Sequence, residues 1–295
     1  MPELPDVELY LSHIERVAGG RRLDRIELVS PFVLRSVAPR PDAYRGRTLQ
    51  GTRRIGKRIL LDFGEEHFAV IHLMIAGRFQ WLDADAKLHK KRTLVGFRFD
   101  EGTLQLTEAG TKRRASLHLV EGEAELATHD RGGIDVRDAD LEAFAAALRA
   151  ENHTLKRSLS DQRFFSGIGN AYSDEILVRA KLSPIAMSQK LTDEEVRRLH
   201  ESCVVVLQDW IERLAEQNEG VFPKKVTAFR PEMNVHGKYG EPCGICGTPV
   251  QRIVYASRET NYCPNCQTGG KLLADRALSR ILKKDWPRSI EDLEN

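Results

Sequence analysis

Residues 243–266 read CGICGTPVQRIVYASRETNYCPNC, two cysteine pairs joined by a β-rich segment. The pairs follow a C-x2-C-x16-C-x2-C pattern, whose spacing is typical of a tetrahedral four-cysteine zinc site. The ligands of one Zn²⁺ are therefore predicted to be Cys243, Cys246, Cys263 and Cys266. The spacing disfavours the alternatives, a redox dithiol or chance clustering. Four thiolates fill the coordination sphere, so the metal is predicted to be structural and to orient a β-hairpin with its tip near Ser257, Arg258 and Glu259.

Upstream of the cysteines, residues 160–177 read SDQRFFSGIGNAYSDEIL. Gly167 and Gly169 permit a close backbone approach, and Asn170 stands where a helix begins. Helix N-termini bind phosphate through their unpaired N–H groups. The segment therefore indicates either a phosphate-binding helix–two-turn–helix or a plain helix–helix turn, and these residues alone leave both interpretations open.

The chain starts MPELPDVELYL. If Met1 is removed, Pro2 carries the terminal amine; α-amino groups have a pKa of about 7.7–8.0, so a fraction is nucleophilic at neutral pH. Such an amine could attack a sugar C1′, and Glu3 beside it could transfer protons. The alternative is that Pro2 and Glu3 simply begin a helix, which residue types alone favour.

The hydrophobic pattern divides the chain into a β-rich first part and a helical second part. A helix is predicted over residues 4–18. The predicted strands are Leu23–Val29, Arg58–Phe63, Phe68–Leu73, Thr93–Phe99, Thr103–Thr107 and Ser116–Val120. The further predicted helices are Asp138–Glu151, Thr154–Asp161, Ala171–Ala180 and Thr192–Gln217, the last with a Thr192/Glu195 capping box.

The predicted fold class is therefore α+β. It combines an N-terminal antiparallel β-sandwich with a leading helix and a C-terminal helical domain that carries the zinc hairpin. Four parts are expected: 1–136 (β-sandwich), 137–235 (helix–two-turn–helix), 236–267 (zinc hairpin) and 268–295 (C-terminal extension).

Composition sets the class of protein. Hydrophobic residues make up 41% and charged residues 30% of the chain, with a formal net charge of +2, as expected for an ordered protein without an overall basic excess. No apolar run approaches the roughly 18 residues of a membrane span. The start is acidic where a secretory signal carries Lys or Arg, so a cytosolic protein is expected. Cys203 lies in an apolar helical run and is predicted to be buried packing.

Taken together, these segments resemble the formamidopyrimidine-DNA glycosylase/endonuclease VIII family. The resemblance covers roughly residues 2–267. It rests on PELPDVE at 2–8, Gly56-Lys57 before a β-run, Asp161-Gln162 with GIGN at 167–170, and GEPC at 240–243 through Cys266.

The resemblance implies a bifunctional DNA glycosylase/AP lyase of base excision repair. It removes damaged, oxidised bases through a Schiff base on Pro2 and cleaves the strand by β,δ-elimination. Glu3 is the implied acid/base, and Lys57, Asn170 and Arg258 are implied to bind the phosphates at the lesion, with Lys156 as a further phosphate contact. The implied cofactor is one structural Zn²⁺, and the implied partner is damaged DNA, duplex or single-stranded. The enzyme is expected to be a monomer in the bacterial cytoplasm, associated with the nucleoid, with no membrane and no nucleotide cofactor.

Two segments depart from the family pattern. Residues 72–77, which begin with the implied DNA contact His72, read HLMIAG where the family often has HLGMSG. By position, the family's methionine wedge is therefore Ile75, with Met74 adjacent. The family's DPRRFG loop has no clear counterpart, but Arg113 or Arg114 of EAGTKRRA could enter the space left by a flipped base. The lesion class and the opposite-base preference therefore stay open.

Two other functions are compatible with part of the chain. One is a non-catalytic DNA-binding zinc-ribbon protein that kept the fold, against which Pro2, Glu3 and Lys57 argue. The other is an RNA-associated zinc ribbon, which leaves the first 180 residues unexplained.

Residues 268–295 extend past the usual end of the family. Apolar residues at helical spacing predict an amphipathic helix over Lys271–Asp285, ended by Trp286-Pro287. Packing against the zinc ribbon or helical domain is the favoured role, and a basic DNA-contacting face is the alternative.

Overall fold

The structure is a computed structural model that describes residues 1–109, 112–223, 226–227, 229–255, 258–274, 280–282 and 287–293. Backbone contacts divide the chain into two compact units. The first comprises residues 1–131 and 210–228, and the second comprises residues 132–209 and 229–295. The four-part division expected from the sequence stays a prediction. In the described parts of the chain, no helix combines the length and apolar character needed to cross a membrane.

The first unit is an antiparallel β-sandwich preceded by helix α1 (Leu4–Ala18), which confirms the predicted fold class. One sheet has the order β1-β6-β7-β5 and the other β2-β3-β4-β8. Their strands are β1 (Leu23–Leu28), β2 (Gly51–Ile55), β3 (Arg58–Asp62), β4 (His67–His72), β5 (Gly77–Leu82), β6 (Thr93–Phe99), β7 (Thr103–Glu108) and β8 (Ser116–Glu121). A short helix, α2 (Glu123–Ala127), buries Leu126 against Leu60, Phe68, Val70 and Val120 of the second sheet.

The six predicted strands are confirmed, with ends that differ by at most one residue, while β2 and β5 were missed. Strand β2 carries the consecutive arginines Arg53 and Arg54 and has no alternating apolar pattern. It forms because it pairs along its length with β3, from Gly51↔Asp62 to Ile55↔Arg58. Such pairing is a long-range interaction that a local pattern does not reveal.

The second unit contains α3 (Leu141–Arg149), α4 (Leu155–Ser160), α5 (Asn170–Arg179) and most of α6 (Asp193–Gln217). All four helices were predicted. The capping box at the start of α6 is confirmed, since the Thr192 N–H donates to Glu195 Oε2 at 2.9 Å and the Glu195 N–H donates to Thr192 Oγ1 at 3.2 Å. Helix α3 begins later than predicted because Asp140 caps it, accepting from the Ala143 N–H at 2.8 Å.

The zinc segment forms the predicted hairpin of β9 (Gln251–Tyr255) and β10 (Arg258–Tyr262), followed by α7 (Pro264–Thr268). The tip was predicted near Ser257, Arg258 and Glu259. Tyr255 pairs with Arg258, so Arg258 and Glu259 already belong to strand β10, and the intervening residues 256–257 lie outside the described residues.

The C-terminal segment does not follow the predicted helix at its start. Lys271 forms an antiparallel bridge with Ser289, and the Leu272 N–H donates to the Arg288 carbonyl at 2.9 Å. The Leu273 N–H donates instead to the Tyr262 hydroxyl at 2.7 Å, so the start of the predicted helix is occupied by these long-range contacts. Residues 280–282 are helical, whereas 275–279 and 283–286, which complete the predicted helix, lie outside the described residues.

Candidate active site and nucleic-acid interface

The N-terminal residues are held by the first turn of α1. Pro2 is buried, and Glu3 at the helix N-cap is only 2% exposed. Glu3 and Asp6 form a reciprocal capping box, in which the Glu3 N–H donates to Asp6 Oδ2 at 3.0 Å. Because the backbone at residue 3 is fixed in this way, the Glu3 carboxyl group is placed directly beside the chain terminus.

Lys57 is presented by a tight turn between β2 and β3. Gly56 has φ +60, a left-handed conformation that glycine adopts without strain. Arg54 holds the turn, since its guanidinium donates to the Gly56 carbonyl at 2.8 Å and to Glu8 Oε1 of α1 at 3.1 Å. This ion pair ties helix α1, which follows Pro2, to the hairpin that carries Lys57. The Lys57 side chain is buried.

The terminal amine lies in a mixed electrostatic environment. Burial lowers the pKa of the Met1 amine below its usual 8.0, while the carboxylates of Glu3 and Asp6 act to raise it and the cations of Arg78 and Lys57 act to lower it. Two acidic and two basic side chains therefore act electrostatically on the chain terminus. A lowered pKa increases the uncharged, nucleophilic fraction of an amine at neutral pH.

Three loops of the first unit meet at one end of the β2-β3-β4-β8 sheet. The cross-strand pairs Arg58↔His72 and His72↔Ser116 place the start of β3, the end of β4 and the start of β8 side by side. The Gly56-Lys57 turn, the 73–76 turn and the loop before Ser116 consequently share this end. The sequence had singled out a residue in each, without indicating that they are neighbours.

The 73–76 turn projects Ile75, which is 61% exposed. Met74 has φ +52, and its N–H donates to His72 Nδ1 at 2.9 Å. The turn closes by the Gly77 N–H donating to the Leu73 carbonyl at 2.8 Å, so tightly that a Cβ at Gly77 would lie 2.4 Å from that oxygen. Glycine is therefore required at 77, and the apolar tip is held by a rigid turn.

The loop before β8 presents two exposed arginines, Arg113 and Arg114. The buried carboxylate of Glu108 accepts from the Arg114 N–H at 2.8 Å and from the Ala115 N–H at 3.0 Å. The Arg113 guanidinium contacts the Lys91 carbonyl. The second half of the loop is thus anchored, while residues 110–111 lie outside the described residues.

Histidines next to this end of the sheet are held uncharged. Burial, with Arg58 and Lys57 nearby, lowers the pKa of His72 from 6.5 to about 4. Burial, with His129 and Arg58, lowers the pKa of His118 from 6.5 to about 4. The rings of His118 and His129 lie 4.8 Å apart, and the Arg58 guanidinium donates to the His129 carbonyl at 2.5 Å.

These histidines predict a specific pH dependence of stability. Their pKa values are lower in the folded chain than in the unfolded chain, so the unfolded chain binds protons first as the pH falls. The stability they contribute is complete above pH 6.5 and is lost as the pH falls from 6.5 towards 4. We expect the melting temperature to fall by several degrees over this range, and we expect His118→Asn to make that fall smaller.

His89→Asn, at an exposed histidine of the same unit, is the matched control. An equal pH dependence of the melting temperature in both variants would contradict the role assigned to His118.

In the second unit, the turn between α4 and α5 places Asn170 at the first residue of α5. Gly167 has φ +86, and the Gln162 side chain closes the turn by accepting from the Gly167 N–H at 2.9 Å and donating to the Ile168 carbonyl at 2.7 Å. Asn170 Nδ2 donates to the backbone carbonyl of Glu259 in β10 at 2.9 Å. The turn and the zinc hairpin, both predicted to bind phosphate, are therefore in direct contact.

Two buried carboxylates of α5 organise this region, and the sequence analysis missed both. Asp174 accepts from Lys156 Nζ at 2.5 Å and bonds His236 Nδ1 at 2.7 Å. Glu175 accepts from the backbone N–H groups of residues 234–236 at 2.8–2.9 Å. The sequence signal that could have identified them is the pair of adjacent acids among the apolar residues of α5. Buried carboxylates are retained only with partners, so this pair predicts hydrogen-bonding groups nearby.

Lys156 is consequently engaged within the unit. Its ammonium group also donates to the Asn170 carbonyl at 2.6 Å, and its side chain is 13% exposed. It braces the α5 N-terminus, and a phosphate contact by Lys156 stays a prediction.

The four predicted metal ligands cluster. Their sulfur atoms all lie within 4.8 Å of one another, and those of Cys246 and Cys263 are 3.4 Å apart. Zn–S bonds of about 2.3 Å in a tetrahedron require sulfur–sulfur separations of about 3.8 Å, so the donor set fits one Zn²⁺. Cys203 is buried in α6, as predicted.

Three family models match the chain. They are the formamidopyrimidine-DNA glycosylase N-terminal domain over residues 1–117, the formamidopyrimidine-DNA glycosylase H2TH domain over 134–219, and the zinc finger found in FPG and IleRS over 240–269. The last range contains all four clustered cysteines.

Curated relatives match across the same range. A formamidopyrimidine-DNA glycosylase of Bacillus cereus is 31% identical over 280 residues, covering 90% of this chain and 99% of the relative. One from Listeria monocytogenes is 28% identical over 281 residues and is covered completely.

Solved structures of the Lactococcus lactis enzyme are also similar. Its complex with DNA containing an AP site has a TM-score of 0.78 at 27% identity, covering 90% of this chain and 99% of that one. Its complex with oxidised-pyrimidine DNA has a TM-score of 0.79 at 27% identity.

Proposed function

Because this chain belongs to the formamidopyrimidine-DNA glycosylase family of base excision repair, we propose that it is a bifunctional DNA glycosylase/AP lyase. It removes a damaged base through a Schiff base on Pro2 and then cleaves the strand by β,δ-elimination. Its partner is damaged DNA, and it acts as a monomer in the cytoplasm with one structural Zn²⁺.

The observation that carries this proposal is the environment of the terminal amine. Pro2, Glu3 and Lys57 are buried; burial also lowers the pKa of the Met1 amine that precedes Pro2, and Glu3, Asp6, Arg78 and Lys57 are the charged groups that act on that amine. A protein that only binds DNA has no use for a chain terminus at which Pro2, the Glu3 carboxyl group and Lys57 are all buried. Perturbed pKa values of this kind cluster at functional sites.

The chemistry follows from these groups. Once Met1 is removed, the Pro2 nitrogen attacks C1′ of the damaged nucleotide, and the glycosidic electrons leave with the base. Glu3 supplies the proton that opens the sugar ring, which gives an iminium ion between Pro2 and C1′. Loss of a C2′ proton expels the 3′ phosphate, a second elimination expels the 5′ phosphate, and hydrolysis of the iminium ion restores the amine.

The DNA backbone is recognised from both units. Lys57 and His72 lie at the loop-bearing end of the sheet in the first unit, and Asn170 and Arg258 belong to the phosphate-binding turn and the zinc hairpin of the second. Cationic side chains and helix N-termini are the usual phosphate ligands. Lys156 braces Asn170 through its carbonyl.

Base extrusion requires a group that fills the vacated stack. Ile75, on its rigid turn, is an exposed apolar side chain of suitable size, and Arg113 and Arg114 lie on the neighbouring loop. Oxidised bases are the proposed substrates, since solved relatives are complexes with an oxidised pyrimidine and with Fapy-dG.

The function is tested by incubating the purified chain with duplex DNA that carries a single abasic site. We expect strand cleavage with phosphate at both new ends, the products of β,δ-elimination. Tight binding without cleavage would instead support a non-catalytic DNA-binding protein that kept the fold.

Glu3→Gln separates the two activities. Base excision needs a proton donor, so we expect its rate to fall by about 100-fold or more. Cleavage of a pre-formed abasic site is expected to fall less, because that sugar opens without departure of a base. Single-turnover rates on lesion and abasic substrates measure both steps. The matched control is Glu15→Gln, at an exposed position of the same helix; equal losses in both activities of Glu3→Gln would contradict the assigned role.

A further inference from the structure

The residue that follows Arg258 in β10 is an acid with three sets of contacts. Glu259 Oε2 accepts from Arg252 Nη1 at 3.1 Å, and Oε1 accepts from Asn261 Nδ2 at 2.8 Å. Its backbone carbonyl accepts from Asn170 Nδ2 at 2.9 Å. Both the side chain and the main chain of this one residue are therefore held.

Asn261 connects β10 to the segment before the zinc cysteines.

 Asn261 is 1% exposed, and its Oδ1 accepts from the Gly237 N–H at 2.8 Å while its Nδ2 donates to Glu259. Both ends of one buried amide are thus used. The hydrogen bonds fix β10 against residue 237 on one side, as the Asn170 amide fixes it against α5 on the other.

Arg252 holds Glu259 from the paired strand. The two residues are near neighbours across the hairpin, since Glu259 pairs with Val254 and Arg252 with Asn261. The Arg252 guanidinium also lies 4.2 Å from the centre of the Tyr239 ring, a cation–π contact that limits its freedom.

An acid at this place has an electrostatic cost. It immediately follows the arginine assigned to a DNA phosphate, well within the Debye length of about 10 Å at 0.1 M salt, so an unpaired carboxylate there would repel the backbone. Arg252 and Asn261 both donate to it and offset that charge. An ordinary exposed ion pair contributes little, but this carboxylate is also bonded to a buried amide within the same strand.

We propose that Glu259, held by Arg252 and Asn261, is a positioning residue that locks the zinc hairpin to the N-terminus of α5, so that Asn170 and Arg258 bind DNA as one phosphate clamp. The proposal rests on the proposed DNA-binding function. An amide nitrogen has two N–H donors, so Asn170 can hold the Glu259 carbonyl with one and a phosphate with the other.

The test is a double-mutant cycle on DNA affinity. The probe is duplex DNA with a tetrahydrofuran abasic analogue, which binds without being cleaved, and fluorescence anisotropy gives Kd. We expect Glu259→Ala to raise Kd about tenfold, the effect of losing one charge-assisted contact. Asn170→Ala also raises Kd, and the double variant should be at least about fivefold tighter than the product of the single effects, because the two residues act through one clamp.

Two further variants make the result decisive. Glu259→Gln keeps the side-chain length and an acceptor for Asn261, so it should bind nearly as tightly as the unaltered chain. Glu241→Ala removes an exposed acid from the same zinc segment and is the matched control. Zinc content is measured for every variant. If Glu259→Ala loses zinc, the proposal is judged from the DNA affinity of zinc-loaded Glu259→Gln compared with that of Asn170→Ala.

Unchanged affinity in zinc-loaded Glu259→Ala, multiplicative effects in the cycle, or a zinc-loaded Glu259→Gln as weak as Asn170→Ala would each overturn the proposal. Failure of the unaltered chain to cleave abasic DNA would refute the enzymatic function instead, and the binding cycle would still report on the clamp.

Discussion

Pro2→Leu is expected to abolish strand cleavage at abasic sites, lowering the single-turnover rate by at least about a thousandfold. A bulky second residue prevents removal of Met1, and leucine lacks the secondary amine. The chain then begins with the Met1 primary amine, one residue before the position of the proposed nucleophile, and the leucine at position 2 has no free amine of its own. Because the phosphate-binding groups are unchanged, affinity for abasic-analogue DNA should stay close to that of the unaltered chain.

Pro5→Ala is the matched control for this result. Pro5 lies in the first turn of the same helix and leaves the terminal amine intact. It should retain cleavage, which separates loss of the nucleophile from disturbance of α1. Comparable cleavage by Pro2→Leu and the unaltered chain would show that another residue forms the covalent bond.

Cys263→Ser is expected to release zinc and to weaken DNA binding by at least tenfold, about the value of one charge-assisted contact. Structural zinc contributes about 10–16 kcal/mol to the folding of its site, so the hairpin loses its order with the metal. Arg258 and the Glu259 carbonyl that Asn170 contacts both belong to β10, directly before this cysteine. Metal analysis and anisotropy on abasic-analogue DNA measure the two losses.

The same substitution at the fifth cysteine is the matched control. Cys203 is buried in α6, and burial raises the pKa of its thiol, as expected for a packing residue without a metal. Cys203→Ser should keep zinc and DNA affinity even if the melting temperature falls. Full DNA affinity in a zinc-free Cys263→Ser protein would contradict the structural role of the metal.

Local patterns in the sequence were sufficient for much of the fold. The C-x2-C spacing predicted the metal ligands, and the apolar period predicted α1. The Thr192/Glu195 pair predicted the start of α6. In each case the interacting groups lie within a few residues of one another or belong to a motif with fixed geometry.

The remaining features depend on distant pairings. Strand β2 exists because β3 pairs with it, and residues 270–272 pair with residues 288–290 instead of beginning the predicted helix. In both cases, long-range backbone hydrogen bonds outweigh the conformational preference of the local sequence.

The candidate site shows the same division. Individual residues such as Lys57 and Asn170 were recognised from motifs, but their supports were not. Arg54 contacts Glu8, which is 46 residues away in the chain. Asp174 contacts His236, 62 residues away, and Glu259 contacts Asn170, 89 residues away. Such partners become visible only when the chain is folded.

The central claim is that Pro2 forms the covalent intermediate, and borohydride trapping on abasic DNA tests it most directly. The chain is incubated with a single-site duplex and sodium borohydride, which reduces an iminium ion to a stable amine, and the cross-linked peptide is identified by mass spectrometry. The predicted result is one adduct on the N-terminal peptide, with Met1 absent and the modification on Pro2. An adduct on an internal lysine, or efficient cleavage by a chain that retains Met1, would contradict the account.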